Sequence, residues 1–422
     1  MKRMLFLLFV MAAAGLWSTV GFVVNSGSET LSKIDFSTGE VDNSFCVLGW
    51  MPNRVELTQD YAYVVNSGDN NVQKIDLETG QTDELIFIGL TTNPYDIIIC
   101  NEYAYVTGSL SNKVYKIDLN TDEVVANLSV GGNPAGMAVL NGKLYVGNTD
   151  YANSYADCTV SIIDLSSFSI TNTVSTEVNP QFLAAIDGNI HISCGGDWGS
   201  VTGKICVLAP ATEEIIEIIN IGGPISNFAV SPDDVVYVGD GYGYNLYAYH
   251  AVDFSIIYNS GNPFTPGGSM VAANDDNLFV LGGEWGENFT VRKFDFAGNQ
   301  INEYTVALYS TDLKLLPEET GVINNQVPDR NYQLCNYPNP FNPSTTIQFE
   351  TTNSHKFAQI EIYNLKGQKV KILPVSPSQS HKVSVTWDGT DQTGSMVSSG
   401  VYFYRLFMNG KAVAGNKMIL MK

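Results

Sequence analysis

The stretch YVVNSGDNNVQKIDLETG, Tyr63 to Gly80, recurs in degraded form along most of this chain. It reads as a short strand (63–66), a polar turn (67–71), a second strand (72–77) and a closing turn at Glu78-Thr79-Gly80. A hairpin of this size cannot bury its apolar face without neighbours of its own kind. Aligning the first of the two strands in each copy puts Phe22, Tyr63, Tyr105, Tyr145, His191, Tyr237 and Phe279 in one column, seven copies spaced 40 to 46 residues apart.

That period suits one four-stranded blade of a β-propeller. The partner strand of each copy is expected at 29–36, 71–77, 112–119, 159–165, 204–208, 245–249 and 290–296. Between copies lie apolar segments opened by turn residues: Asn93-Pro94, Asn133-Pro134, Asn179-Pro180 and Gly223-Pro224. These segments read as the innermost strands. The first copy has no room upstream for an inner strand, whereas Thr311 to Leu316 is a spare strand after the seventh, so it is expected to complete blade one and remove the free sheet edges. The fold class is all-β: a seven-bladed β-propeller over residues 19–317, followed by a small immunoglobulin-like β-sandwich.

The N-terminal stretch 1–18 has Lys2 and Arg3, an apolar run and then Ala12, Ala13, Ala14 and Gly15. It reads as a secretory signal peptide, because a spanning helix needs roughly 20 apolar residues. No cysteine near it marks a lipidation point. The segments NPAGMAVLNGKLYVGNT (Asn133 to Thr149) and TVSIIDLSSFSI (Thr159 to Ile170) resemble the YVTN-type propeller repeat, as do their parallels in the preceding copy. That resemblance speaks for the fold; propellers serve as enzymes, cofactor holders and adhesive modules alike.

Residues 318–334 are polar, carry Gly321, Asn324, Asn325 and Pro328, and read as a linker. Beyond it the charge changes sign. Residues 330–422 hold 10 Lys+Arg and 4 Asp+Glu, against 12 and 39 before them. Short alternating strands between Gly, Asn and Pro turns over 335–422 argue for a β-sandwich. NYPNPFNPSTTIQFE, VSVTWDGTDQTGSMVSSGVYFYRL and the terminal KMILMK resemble the C-terminal sorting domain of the Bacteroidetes type IX secretion system, whose fold is similar to the immunoglobulin-like domain of a flagellar hook-capping protein. The resemblance implies roles for Pro338, Asn339, Pro340, Phe341, Asn342 and Pro343 as the opening motif. It assigns Trp387, Asp388, Gly389 and Gly394 to a central turn, Gly400 and Tyr402 to the penultimate strand, and Lys417 to the last strand. It further implies a type IX translocon and a sortase as partners, and a secreted or outer-membrane surface destination in a Gram-negative bacterium. The bland alternative is an interaction module on the same fold.

A formal net charge of −21, with no basic stripe in the sequence to neutralise phosphates, argues against nucleic acid. Asp35, Asp76, Asp118, Asp164 and Asp295 share one repeat column and read as turn caps. Six cysteines in an exported chain invite disulfides; Cys194 and Cys206 flank one turn in the fifth copy and could face each other across it as a bridge, or stay free thiols. Cys46, Cys100, Cys158 and Cys335 have no obvious mates, and no spacing matches a zinc site. His191 stands in the aromatic column and His250 in the turn-aspartate column, so both read as structural. No catalytic motif is present and no metal site is expected, while the sequence leaves the cofactor unknown.

The copies depart from the repeat at the turns between the two strands of the hairpin. In the later copies these hold Tyr151, Tyr155 and Asp157; Asp197 and Trp198; Asp240, Tyr242 and Tyr244; and Glu284 and Trp285. Tyrosine and tryptophan beside carboxylates suit stacking on sugar rings or contact with a peptide, unless the rings pack blade against blade. The reading is a binding or scaffolding protein holding a glycan or protein ligand on this face. The alternative is a secreted lyase, hydrolase or lactonase using axial carboxylates.

Overall fold

The computed structural model describes residues 19–197, 199–284, 286–316, 335–350, 358–364, 369–375, 382–408 and 411–421. The signal-peptide reading of 1–18 and the linker reading of 318–334 fall outside them. The chain divides into two compact units, Met1–Val327 and Pro328–Lys422.

The first unit is a seven-bladed β-propeller of four-stranded antiparallel sheets. With strands lettered a to d outward from the axis, the a strands are Ser310–Leu315, Pro52–Leu57, Pro94–Cys100, Pro134–Leu140, Pro180–Ile186, Ile225–Val230 and Met270–Ala273. Each touches the a strands on both sides, so the ring closes. Closure falls in blade one, where Ser310–Leu315 pairs with Val20–Asn25 in the register Gly21 opposite Leu315, as the spare C-terminal strand demands. Four a strands open on proline, which has no N–H to lose at a strand's first residue. Before three of those prolines, Asn93, Asn133 and Asn179 take φ of 46°, 46° and 68°, a region in which asparagine is enriched and β-branched residues are rare.

The b strands, such as Tyr61–Asn66 and Tyr103–Gly108, are buried almost throughout, whereas the d strand Thr82–Phe87 is exposed at five of its six positions. The aromatic column lies between blades: Phe22, Tyr145, His191 and Phe279 are wholly buried and Tyr63 and Tyr105 nearly so. Burying each phenylalanine ring contributes roughly 1.5–3 kcal/mol, and the clusters that Tyr145 and Tyr63 join span two adjacent blades.

Polar ties add direction to this packing. The pairing of strands a and b slips at Pro94/Ile97 and at Ile225/Phe228, and such bulges re-aim side chains. Asp96 Oδ2 thereby accepts the Met137 N–H of the next blade at 2.9 Å, and Asn227 Oδ1 accepts that of Val271 at 2.9 Å. Asp312 Oδ2 does the same for Val55 at 3.0 Å. At the opposite end Lys74 reaches Asp122 of blade three at 2.7 Å and Lys33 the Leu77 carbonyl of blade two at 3.1 Å.

The second unit is a β-sandwich of two sheets, one pairing Cys335–Tyr337, Thr345–Glu350 and Lys382–Trp387, the other pairing Lys369–Val375, Ala358–Asn364, Gly400–Met408 and Lys411–Leu420. Its core gathers Phe341, Ile347, Ile360, Trp387, Tyr402 and Leu420.

Candidate functional site

In an antiparallel blade the b–c turn and the link arriving at strand a share one end, and here backbone bonds join them. Gly68 N–H donates to Trp50 O at 3.0 Å, Leu110 to Thr92 at 3.1 Å, Asp150 to Gly132 at 2.8 Å, Gly196 to Val178 at 3.1 Å and Gly241 to Pro224 at 2.7 Å. The two sets of loops therefore form one continuous face on the propeller.

On that face Tyr151, Tyr242 and Tyr244 are 49, 56 and 58% exposed. Tyr155, at φ 61°, is half-buried, while Asp157 and Glu284 are exposed. Trp198 and Trp285 lie outside the described residues. Two of the carboxylates are turned into their own loops. Asp240, buried, accepts the Tyr242 N–H at 3.0 Å and the Asn245 N–H and Nδ2 at 3.2 and 2.7 Å. Asp197 accepts the N–H groups of Gly199 and Val201 at 2.9 and 2.8 Å, which hold its carboxyl below the usual range. Asp150, whose side chain accepts the Asp157 N–H at 3.0 Å, braces the blade-four loop in the same manner. The rings thus stand on loops stiffened from within by their acids.

Sequence reasoning missed an apolar extension of this face. Trp50 is 59% and Leu90 82% exposed, with Met51 and Leu110 beside them in the loops of blades two and three. Trp50 lies flat on Gly68, where an added Cβ would come within 2.6 Å of the indole. The available signal was an apolar residue inside a turn segment.

Side chains of several blades meet at the axis. The Arg54 guanidinium lies between the rings of Tyr95 and Phe182, 5.6 and 4.7 Å from their centroids, and donates to the Thr311 carbonyl of blade one at 2.5 Å. Glu56 pairs with Lys314 at 3.1 Å. Burial pushes Asp96 up to about 6, against the opposing pull of Arg54 and Lys314. Each axial carboxylate already holds a backbone N–H or an ammonium, and among the described residues no group of three or more Asp, Glu, His or Cys is placed to hold a metal ion.

The five turn aspartates cap their turns, as with Asp76 Oδ1 accepting the N–H groups of Glu78 and Thr79 at 3.0 and 2.7 Å. In blade six, where His250 fills that column, Asp253 takes over by accepting the Ser255 N–H at 3.0 Å. His191 is fully buried, with Nδ1 2.6 Å from the Tyr249 hydroxyl, and burial lowers its pKa to about 3. Cys194 and Cys206 are neighbours but not directly opposite: Cys194 faces Lys204 and Cys206 faces Ile192. Their sulfurs are 3.8 Å apart as free thiols.

In the sandwich the predicted motif residues converge. Asn339 Oδ1 accepts the Ile419 N–H at 2.9 Å and its Nδ2 donates to Lys417 O at 3.3 Å, so the opening motif clasps the last strand. Phe341 bridges Leu420 in parallel. Pro338 O accepts the Thr345 hydroxyl at 2.7 Å; Pro340, Asn342 and Pro343 complete the turn around buried Phe341. Trp387 is a core residue, its Nε1 donating to Thr390 O at 2.9 Å and its ring edge-on to Tyr402 at 5.1 Å. Hydrogen bonds from Thr390 hold Asp388 down at about 2, and Gly389, at φ 71°, sits against Pro343 O. Gly400 starts the penultimate strand, and Lys417 is exposed on the last.

Comparison with known proteins agrees with this division. Residues 339–408 match the FlgD Ig-like domain. No curated protein matches the chain. Among solved structures, a functionally unknown protein from Desulfotomaculum acetoxidans is similar at TM-score 0.57 and 14% identity, over 71% of this chain and 100% of that one. Hydrazine synthase of Kuenenia stuttgartiensis is similar at TM-score 0.50 and 12% identity, over 64% of this chain and 96% of that one. At such identities the likeness concerns the fold.

Proposed function

We propose that this chain is an exported surface protein whose propeller binds a glycan or protein ligand on its loop face, and whose C-terminal FlgD Ig-like domain directs it through the type IX translocon. One observation supports the binding reading above others: Tyr151, Tyr242 and Tyr244 are exposed on loops braced from within by Asp150 and Asp240. Rigid aromatic faces lose little entropy on stacking against a sugar ring or a peptide. The apolar addition of Trp50 and Leu90 widens the surface toward a protein ligand.

The test is a glycan and peptide array probed with the full chain and with a variant carrying Tyr151→Ala, Tyr242→Ala and Tyr244→Ala. Binding that disappears in a variant of unchanged melting temperature supports the reading; equal binding by both sinks it. For export, a reporter joined ahead of residues 335–422 should reach the surface of a type IX host, and deletion of Lys417 to Lys422 should strand it in the periplasm.

A specific observation keeps the enzymatic reading in view: Asp96, pushed up to about 6 by burial and by Asp312, has the perturbed acidity of a proton-transfer group. Turnover of surface glycans or lactones that Asp96→Asn abolishes would replace the binding reading with that one.

A further inference from the structure

In blades one, two and four the last residue of strand b meets the residue two beyond its partner on strand c, and this diagonal pair carries a cross-strand tie. Asn25 Nδ2 donates to Ser32 Oγ at 2.8 Å, Asn66 Nδ2 to Gln73 Oε1 at 3.0 Å and Asn148 Nδ2 to Ser161 Oγ at 2.9 Å. In blade three Gly108 makes room for the Tyr115 ring at the same diagonal. Blade five has exchanged both members together, to Cys194 and Cys206.

The diagonal is thus a place where the fold already brings two side chains into contact, and blade five fills it with two thiols that are both 1% exposed and 3.8 Å apart. The Cys194 thiol donates to the Cys206 sulfur. That hydrogen bond holds Cys206 below the ordinary thiol range, with help from Lys204. Lys204 also pairs with Glu177 at 2.9 Å over the same end of the blade. Cys158, the remaining thiol of this neighbourhood, is committed elsewhere, accepting the Asn179 N–H at 3.3 Å and donating to Thr149 O at 3.2 Å.

We propose that Cys194 and Cys206 form a redox-closable disulfide, the covalent form of the repeat's diagonal tie, which clasps the base of the blade-five loop 195–203. The oxidant is a disulfide, small or protein-borne. The Cys206 thiolate attacks one of its sulfurs and expels the first thiol; the Cys194 thiolate then displaces the second, so two protein thiols become one disulfide and the oxidant is reduced to two thiols. Closure brings the sulfurs to about 2.05 Å. Because both groups are buried once the blade is formed, the bond is made as the hairpin folds and is afterwards shielded from reductant. The loop it clasps is the one carrying Asp197 and Trp198.

The test uses full-length protein refolded with oxidised glutathione, alkylated in denaturant and digested after lysine and arginine. Cleavage after Lys204 parts the two cysteines, so the bond appears as a reduction-sensitive link between the peptide that holds Cys194 and the one that begins at Ile205. The expected result is that link in the native sequence and in Cys158→Ser, its absence in Cys194→Ser, and a higher melting temperature for the oxidised form. Cys194→Asn with Cys206→Ser rebuilds the Asn148/Ser161 pair; its melting temperature should ignore redox state. Free thiols at both positions after refolding, a link that Cys158→Ser removes, or a melting temperature unchanged by oxidation would overturn the proposal.

Discussion

Arg54 of blade two and Phe182 of blade five meet across the propeller axis, guanidinium to ring centroid 4.7 Å. The blades are not neighbours, so the contact does not belong to the serial packing of the repeat. Phe182 also packs against the clusters of blades five and six and of blades seven and one, which makes the pair a central plug. Arg54 is besides one of two cations, with Lys314, that face Asp96 and Asp312.

Removing Arg54 leaves the buried carboxylates Asp96 and Asp312 with Lys314 alone, and breaking a buried ionic group by deleting one partner costs about 3–5 kcal/mol. Arg54→Ala should therefore lower the denaturation midpoint steeply. Arg54→Ala combined with Asp96→Asn should recover part of the loss. Two independent, additive effects in denaturant melts would show that the axial charges are not coupled.

His191 predicts an acid-sensitive ring. Its folded pKa, about 3, lies below the ordinary 6.5, so the unfolded chain binds the proton first as pH falls. Stability from neutral His191 is complete above 6.5 and drains away toward 3, amounting to roughly 3 kcal/mol by pH 4. Asp96 works in the opposite sense: raised to about 6 from 3.8, it burdens the fold above pH 6 and relieves it below. His191→Phe leaves the Tyr249 hydroxyl unpaired, a loss of about 1–3 kcal/mol at pH 8, yet should be the more stable protein at pH 4. Melting curves that never cross between those pH values would refute the assignment.

The number and order of the blades were legible because the aromatic column and the turn aspartates repeat at one period. The axial ties were not. Asp96, Asn227 and Asp312 do one job with different residues, and each depends on the ring bringing the next blade's N–H into reach. Arg54 and Phe182 are brought together only by closure of the whole circle. The loop rings were legible as departures from the repeat, although whether Asp197 and Asp240 faced a ligand or their own turns needed the backbone geometry. The cysteine pair was visible as a hairpin pair, but its diagonal register, and hence its kinship with Asn25/Ser32, was not.

Asp240 should behave as a loop-maker. Substitution by alanine removes the acceptor of three hydrogen bonds and should cost about 1–3 kcal/mol. The readout that separates bracing from general stability is local: amide exchange should quicken at Tyr242 and Asn245 and stay unchanged at Glu78 and Thr79, which Asp76 caps in another blade. Uniform acceleration would mean that the whole ring had loosened. If the loop face binds as proposed, ligand affinity should fall in Asp240→Ala even under conditions where the ring remains fully folded.

Asn339 offers a way to separate the fold of the C-terminal domain from the sorting role proposed for it. Its amide reads the backbone of the last strand at both Ile419 N and Lys417 O, whereas Trp387, Phe341 and Tyr402 build the core. Changing Trp387 would unfold the domain and say nothing about recognition. Asn339→Ala removes two partly solvated hydrogen bonds, worth about 1 kcal/mol each, and leaves the core intact. Amide exchange at Ile419 should quicken while the near-ultraviolet signal of Trp387 persists. If export depends on the last strand being presented in this clasped register, surface delivery of the reporter should fall in Asn339→Ala and be partly restored in Asn339→Asp, which keeps the acceptor for Ile419 and loses only the donor to Lys417. Full delivery by a variant whose last strand exchanges freely would confine Asn339 to the fold and leave the translocon to read some other part of the domain.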